Sequence, residues 1–109
     1  MKKWRITTLP DAEADIEGIY RYISTTLFEP AIAGNFVARI RKAISSLSQM
    51  PERHRLYFNE PWRSKGLRVF PVGNYIVFYH TAPDACTVFI DAVIYGGRDI
   101  DEILVDRLD

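Results

Sequence analysis

G-L-R-V-F-P-V-G-N-Y-I-V-F-Y-H-T-A-P-D-A-C-T-V-F-I-D-A-V-I-Y-G-G-R-D, running from Gly66 to Asp99, is the stretch that decides the fold. Val, Ile, Phe and Tyr dominate three runs, and such side chains suit a pleated, half-buried surface. Val72-Gly73-Asn74 separates the first run from the second. Ala82-Pro83-Asp84-Ala85 separates the second from the third, which ends on Tyr95-Gly96-Gly97-Arg98-Asp99. Gly and Pro punctuate a chain in this way at turns, so the stretch predicts an antiparallel meander. Cys86, the only cysteine, falls at the start of the third run and reads as a small core residue of that strand.

Upstream, Lys3 to Leu9 alternates Trp4, Ile6 and Thr8 with Arg5 and Thr7, the pattern of a half-buried strand. Pro10 ends it and suits the first turn of a helix, where its missing N–H is not needed. A helix is predicted from about Asp11 to Ser24, with Ile16, Ile19, Tyr20 and Ile23 as one apolar stripe. A second is predicted from about Ala31 to Gln49, with Phe36, Ile40, Ala43, Ile44 and Leu47 as its stripe. Two helices joined by a short link form an αα-hairpin, and the sheet is the surface against which both stripes bury. Downstream, Ile100, Ile103, Leu104 and Leu108 give the apolar side of a short closing helix. The expected class is α+β, in the order β-α-α-β-β-β-(α): a two-helix hairpin packed on a small, mainly antiparallel sheet.

The chain has 109 residues, which sets the expectation of one domain over residues 1–109 with one core. Its 48% hydrophobic content rules out a disordered chain. Formal net charge is zero, so contact with a polyanion requires a local patch. The zero conceals a dipolar arrangement. Between Glu52 and Arg68, Arg53, Arg55, Arg63, Lys65 and Arg68 face only Glu52 and Glu60. Tyr57, Phe58 and Trp62 are interleaved among them, a composition that grips phosphates and stacks bases, forms protein hot spots, or makes a solvated loop whose aromatics fold under the helices. The end of the chain is the reverse: Asp99, Asp101, Glu102, Asp106 and Asp109 face Arg107 alone. The start of the chain has no apolar signal segment, and no run approaches the ~20 residues of a membrane span; a cytoplasmic protein is expected.

Much chemistry is absent. No Gly-rich phosphate loop, serine-hydrolase elbow or Cys/His metal spacing occurs, and His54 and His80 are isolated. Neither a metal nor a cofactor is expected. His80 reads as a satisfied strand residue with a general base as the alternative. Gly96-Gly97 reads as a bend that aims Arg98 off the sheet edge.

The element order resembles the RelE/ParE toxins of type II toxin–antitoxin modules. The resemblance rests on Ala14-Asp15-Ile16 with Ile19-Tyr20-Arg21-Tyr22-Ile23, on Ser46-Leu47-Ser48-Gln49-Met50-Pro51-Glu52, on Gly66 to Tyr79, and on Val93-Ile94-Tyr95-Gly96-Gly97-Arg98-Asp99. It implies a growth-inhibiting toxin, held inactive by a cognate antitoxin protein. It also implies one of two targets: DNA gyrase for ParE-like members, or mRNA on the ribosome for RelE-like endoribonucleases. A ribonuclease would draw on Arg68, Arg98, Tyr95 and His80 as its catalytic candidates. The resemblance also places an Arg after Tyr75 and a Tyr six residues beyond Arg98 in RelE-like enzymes, and this chain has Ile76 and Leu104 there. Losing a cation and a proton donor would each cost orders of magnitude in rate. The resemblance therefore favours the ParE-like, gyrase-directed branch, with Arg53, Arg55, Arg63, Lys65, Arg68 and Arg98 as target-binding candidates. A plasmid-stabilising role, and a domain whose toxicity has decayed, are further implications of the same likeness.

Overall fold

A computed structural model describes residues 3–108. The strand β1 (Arg5–Thr8) leads into α1 (Pro10–Arg21), a wide π-helical turn (Tyr22–Thr26) and α2 (Pro30–Ser45). The meander follows as β2 (Arg68–Val72), β3 (Tyr75–Ala82) and β4 (Thr87–Tyr95), and α3 (Ile100–Leu108) closes the chain. The four strands lie in the order β1-β4-β3-β2. The meander is antiparallel, and β1 joins β4 in parallel, the chain between them running through the helix hairpin, β2 and β3. The α+β class and the element order match the sequence expectation.

Local causes are plain for most elements. Proline opens both long helices, Pro10 in α1 and Pro30 in α2, and Asp11 and Glu13 complement the α1 dipole. Gly73 and Asn74 join β2 to β3 as a two-residue hairpin turn, with Gly73 at φ 59°. The second helix stops earlier than its stripe suggests: Ser46–Ser48 tightens into a 3₁₀ turn that still buries Leu47. Arg53 finishes this end, its guanidinium donating to the Gln49 carbonyl at 2.6 Å and to Ser46 Oγ at 2.9 Å. A guanidinium there satisfies carbonyls that the helix leaves orphaned.

The sheet is covered on both faces, which differs from the single core expected. One apolar cluster joins α1 and α2 (Ile16, Ile19, Ile40, Ile44) to Val72, Val77, Tyr79, Val88, Ile90 and Val93. The other joins Tyr57, Trp62 and Leu104 to Val69, Phe78, Ala92 and Ile94. Burying both faces explains why the strand runs are near-continuously apolar. A β-bulge sets which residue goes where. Phe78 pairs with Ala92 but Tyr79 pairs with Ile90, so Asp91 is the extra residue. The side-chain alternation of β4 reverses across it: Val88 and Ile90 face the helix hairpin before the bulge, and Val93 does so after it.

Two further expectations give way. Tyr20, assigned to the α1 stripe, is 44% exposed, because the stripe narrows to Ile16 and Ile19 where α2 crosses. Cys86 is not inside a strand. It sits in a left-handed turn (φ 50°) after the 3₁₀ turn Pro83–Ala85, half-buried, with its thiol on the Lys3 carbonyl.

Leu104 is fully buried against the second cluster, whereas Val105 beside it is half exposed. Leu104→Ala should cost about 3 kcal/mol, and Val105→Ala should change stability by under about 0.5 kcal/mol. Urea unfolding of both variants, with the same slope as the parent, checks the assignment of α3 as a packed element.

Candidate functional site

The sequence candidates do not converge. Arg68 donates from its side chain to the His54 carbonyl at 2.7 Å and is tied into the irregular segment. His80 lies opposite Phe89, while Tyr75 lies opposite Tyr95. Five steps along β3 separate Tyr75 from His80, about 17 Å at ~3.3 Å per residue. His80 is thus remote from Tyr95 and Arg98. Ile76 packs against the second apolar cluster and Leu104 is at its centre, so neither position carries a charged or hydroxyl group.

The basic–aromatic segment also divides. Tyr57 and Trp62 are 7% and 3% exposed and pack beneath α3, not beneath the helix hairpin. Tyr57 donates to the Asp101 carboxylate, which also accepts from Asn59 Nδ2 at 2.6 Å. The acidic end of the chain thus docks on the basic segment through its polar groups rather than its arginines. Burial first and Asp101 second push the Tyr57 hydroxyl up to about 12, so it stays a donor. Arg53 is spent on the end of α2. Arg55, Arg63 and Lys65 are exposed, as is the Phe58 ring beside Tyr57.

The two histidines are opposites. His54 stacks on Phe70 with ring centres 4.6 Å apart, and burial, then Arg53, lowers its pKa. His80 stacks on Phe89 and places Nδ1 2.7 Å from Asp91 Oδ2. Asp91 is only 6% exposed, at the bulge. The hydrogen bond to this carboxylate raises the His80 pKa against the opposing effect of burial.

What the fold does assemble is a groove of about 820 Å³ along the free edge of β4. The last β1 pairing is Thr8 with Ile90, followed by the Leu9 amide donating to the Ile90 carbonyl. Beyond that point β4 has no neighbour on this side. The Gly96 amide donates to the Asn74 carbonyl, which fixes the alternation of paired levels. By that register the N–H and C=O groups of Val93 and Tyr95 point away from β3. The Val93 amide is taken by Asp15 Oδ2 at 2.9 Å. Arg107 grips Asp15 at 2.8 and 3.2 Å, lies 3.6 Å from Asp11, and reaches the Asp91 carbonyl at 3.5 Å. The Asp15 bond, above all, raises the Arg107 pKa.

Aromatic and apolar groups make the rest of the groove: Tyr22, Ile23 and Leu27 from the hairpin, with Tyr75 and Tyr95 from the sheet. Tyr75 and Tyr95 meet edge to face, ring centres 5.6 Å apart. The glycine pair now has a cause. A Cβ on Gly97 would lie 2.5 Å from the Tyr95 ring, and one on Gly96 would lie 3.2 Å from the Asn74 carbonyl. Gly97 therefore lets the ring fold back over the turn, and Arg98, exposed, lines the groove beside it. This surface can pair with an extended backbone, accept apolar side chains and bind carboxylates. Residues 15, 91 and 107 were missed as site residues. Two of them carried a signal: Asp91 is the sole charge in the third apolar run, and Arg107 the sole base in an acidic tail.

The family model described as the ParE toxin of the type II toxin–antitoxin system, parDE, matches residues 6–100. A solved structure of the chromosomal ParDE toxin–antitoxin system from P. aeruginosa is similar, with a TM-score of 0.70 and 18% identity over 85% of this chain and 96% of that one. The RelBE2 toxin–antitoxin complex from Mycobacterium tuberculosis aligns with a TM-score of 0.62 and 21% identity over 87% of this chain and 93% of that one. At such identities the likeness concerns the fold. No curated protein matches the sequence. Among the described residues no helix is long and apolar enough to cross a membrane.

NMR titration of the imidazoles should show His80 protonating above the ordinary histidine value of 6.5 and His54 below it. Because the folded-state pKa of His80 is raised, its contribution to stability is complete below about 6.5 and is lost as pH rises through the folded value. Asp91→Asn should return His80 toward 6.5 or below; an unchanged value would show that the pair does not set it.

Proposed function

This chain belongs to the ParE toxin family of type II toxin–antitoxin systems, and we propose that it arrests growth by poisoning DNA gyrase through protein contacts. The observation that carries the reading is the dispersal of the ribonuclease candidates. Arg68 is bound to the His54 carbonyl, His80 to Asp91, and Tyr95 with Arg98 lies at the far end of β4. RNA cleavage of the RelE kind requires a base, cations on the phosphate and an acid around one bond. A gyrase poison requires a recognition surface, and the exposed Arg55, Arg63, Lys65 and Phe58 supply one.

The antitoxin is proposed to occupy the groove beside β4. An extended segment would pair with the open Val93 carbonyl and Tyr95 amide, set apolar side chains on Tyr22 and Leu27, and place carboxylates on Arg98. Charge favours an acidic partner there over a second copy of this chain, whose arginines would meet across a two-fold axis.

Purified toxin with gyrase and plasmid DNA should block supercoiling and accumulate cleaved DNA. Toxin with programmed ribosomes should leave mRNA intact. Cuts within the A-site codon, with gyrase unaffected, would instead establish the RelE-type ribonuclease. Arg98→Glu should weaken antitoxin binding by about tenfold or more, since placing like charge against the partner's carboxylates costs at least about 1.4 kcal/mol. Calorimetry with the antitoxin encoded beside the toxin gene measures this directly.

A further inference from the structure

Four ionisable side chains form a line from His80, half-buried on β3, to the free edge of β4. It begins at His80 Nδ1, 2.7 Å from Asp91 Oδ2. Asp91 continues through its own carbonyl to Arg107 Nη2 at 3.5 Å. Arg107 then holds Asp15 by two contacts, and Asp15 Oδ2 accepts the Val93 amide at 2.9 Å. The last contact blocks an N–H that would otherwise be offered to a pairing strand. We propose that His80 is a proton-operated control of this edge: charged, it keeps Asp15 seated on the Val93 amide, and neutral, it frees that amide.

The reason lies in how three carboxylates share two cations. Asp11, Asp15 and Asp91 surround Arg107 and His80, and only His80 loses its charge near neutrality. The Asp91 side chain is 5% exposed and needs an opposite charge nearby. Protonated His80 supplies it, leaving the Arg107 fork to Asp15. Neutral His80 still donates Nδ1–H but no longer offsets the charge. Arg107, the permanent cation already touching the Asp91 backbone, is then drawn toward the Asp91 carboxylate. That movement comes at the expense of Asp15, whose grip on the Val93 amide it supports.

The surroundings of His80 supply no competing charge at contact distance among the described groups. Phe89 of β4 stacks on it, and Thr81 next to it donates to Glu52 of the irregular segment at 3.4 Å. Arg5 of β1 pairs with Thr87, two residues from Phe89. Arg107 of α3 faces Asp91 rather than the imidazole. The linkage sign follows. A closed edge that favours imidazolium raises the His80 pKa relative to the open edge. Closure is therefore complete at low pH and lost as pH rises through the closed-state value.

Amide hydrogen exchange of the intact protein tests this without any ligand. Protection of the Val93 amide, corrected for intrinsic base catalysis, should fall as pH rises through the His80 transition read from the imidazole signals. If the closed and open edges differ by about one unit in His80 pKa, the fall is about tenfold. The Val77 amide, in the middle of the sheet, should show no such step. In His80→Gln the step should vanish, with Val93 protection following the same trend as Val77. In Arg107→Lys, His80 should still titrate but the Val93 step should be lost, because an ammonium cannot share a fork between two carboxylates. A flat Val93 profile in the parent protein overturns the proposal. So does an equal step in His80→Gln, which would assign the control to another group, or an unchanged step in Arg107→Lys, which would remove Arg107 from the line.

Discussion

Backbone pairing between β1 and β4 ends at Ile90, and most of the polar architecture answers to that single boundary. Four residues of β1 cover the first half of β4, and Pro10 then turns the chain into α1. A sheet edge inside a domain cannot be left bare, because unpaired N–H and C=O groups are costly when dry and invite foreign strands when wet. The chain meets the problem with side chains. Asp15, one turn into α1, takes the Val93 amide, and Arg107 at the end of α3 fixes Asp15 from the other side. A helix on each side of the sheet is thereby fastened to the same strand at its one open stretch.

The bulge at Asp91 belongs to the same solution. Inserting one residue there reverses the alternation of β4, so that both halves of the strand present apolar groups to both layers. It also brings a carboxylate into an otherwise apolar run, where His80 across the strand pair neutralises it. The core on one face and the core on the other are thus reconciled at the residue that also carries the only His–Asp pair among the described residues. Packing and electrostatics are hard to separate at this point, since removing the charge would leave the bulge without its partner, and removing the bulge would misplace half a strand.

For a toxin of this family the arrangement has a functional consequence. The groove beside β4 is bordered by the turn after β4 and by the π-helical turn Tyr22–Thr26, followed by the exposed Leu27. Tyr75, Tyr95 and Tyr22 give it an amphipathic lining suited to a protein chain rather than to a small ligand. The exposed cations of the irregular segment lie elsewhere on the surface, beyond the buried Tyr57 and Trp62. On the function proposed above, neutralisation and target recognition use different faces.

The sequence by itself determined the element order, the antiparallel meander and most of both helix stripes, because periodicity, proline position and glycine turns are local properties that the chain carries in any context. Through its resemblance to the RelE/ParE toxins it also marked Ile76 and Leu104 as departures from the RelE-like pattern. Only the tertiary structure decided what the charged residues do. Arg53 and Arg68, read as target contacts, are bound to carbonyls of the chain itself, while Asp15 and Arg107, to which no role was given, meet across 92 positions of sequence. The cause is physical: a strand or helix is specified by neighbours within one turn or one pleat, whereas an ion pair depends on where two distant elements end, and here that was set by the length of β1, the bulge in β4 and the docking of α3 on the second face of the sheet.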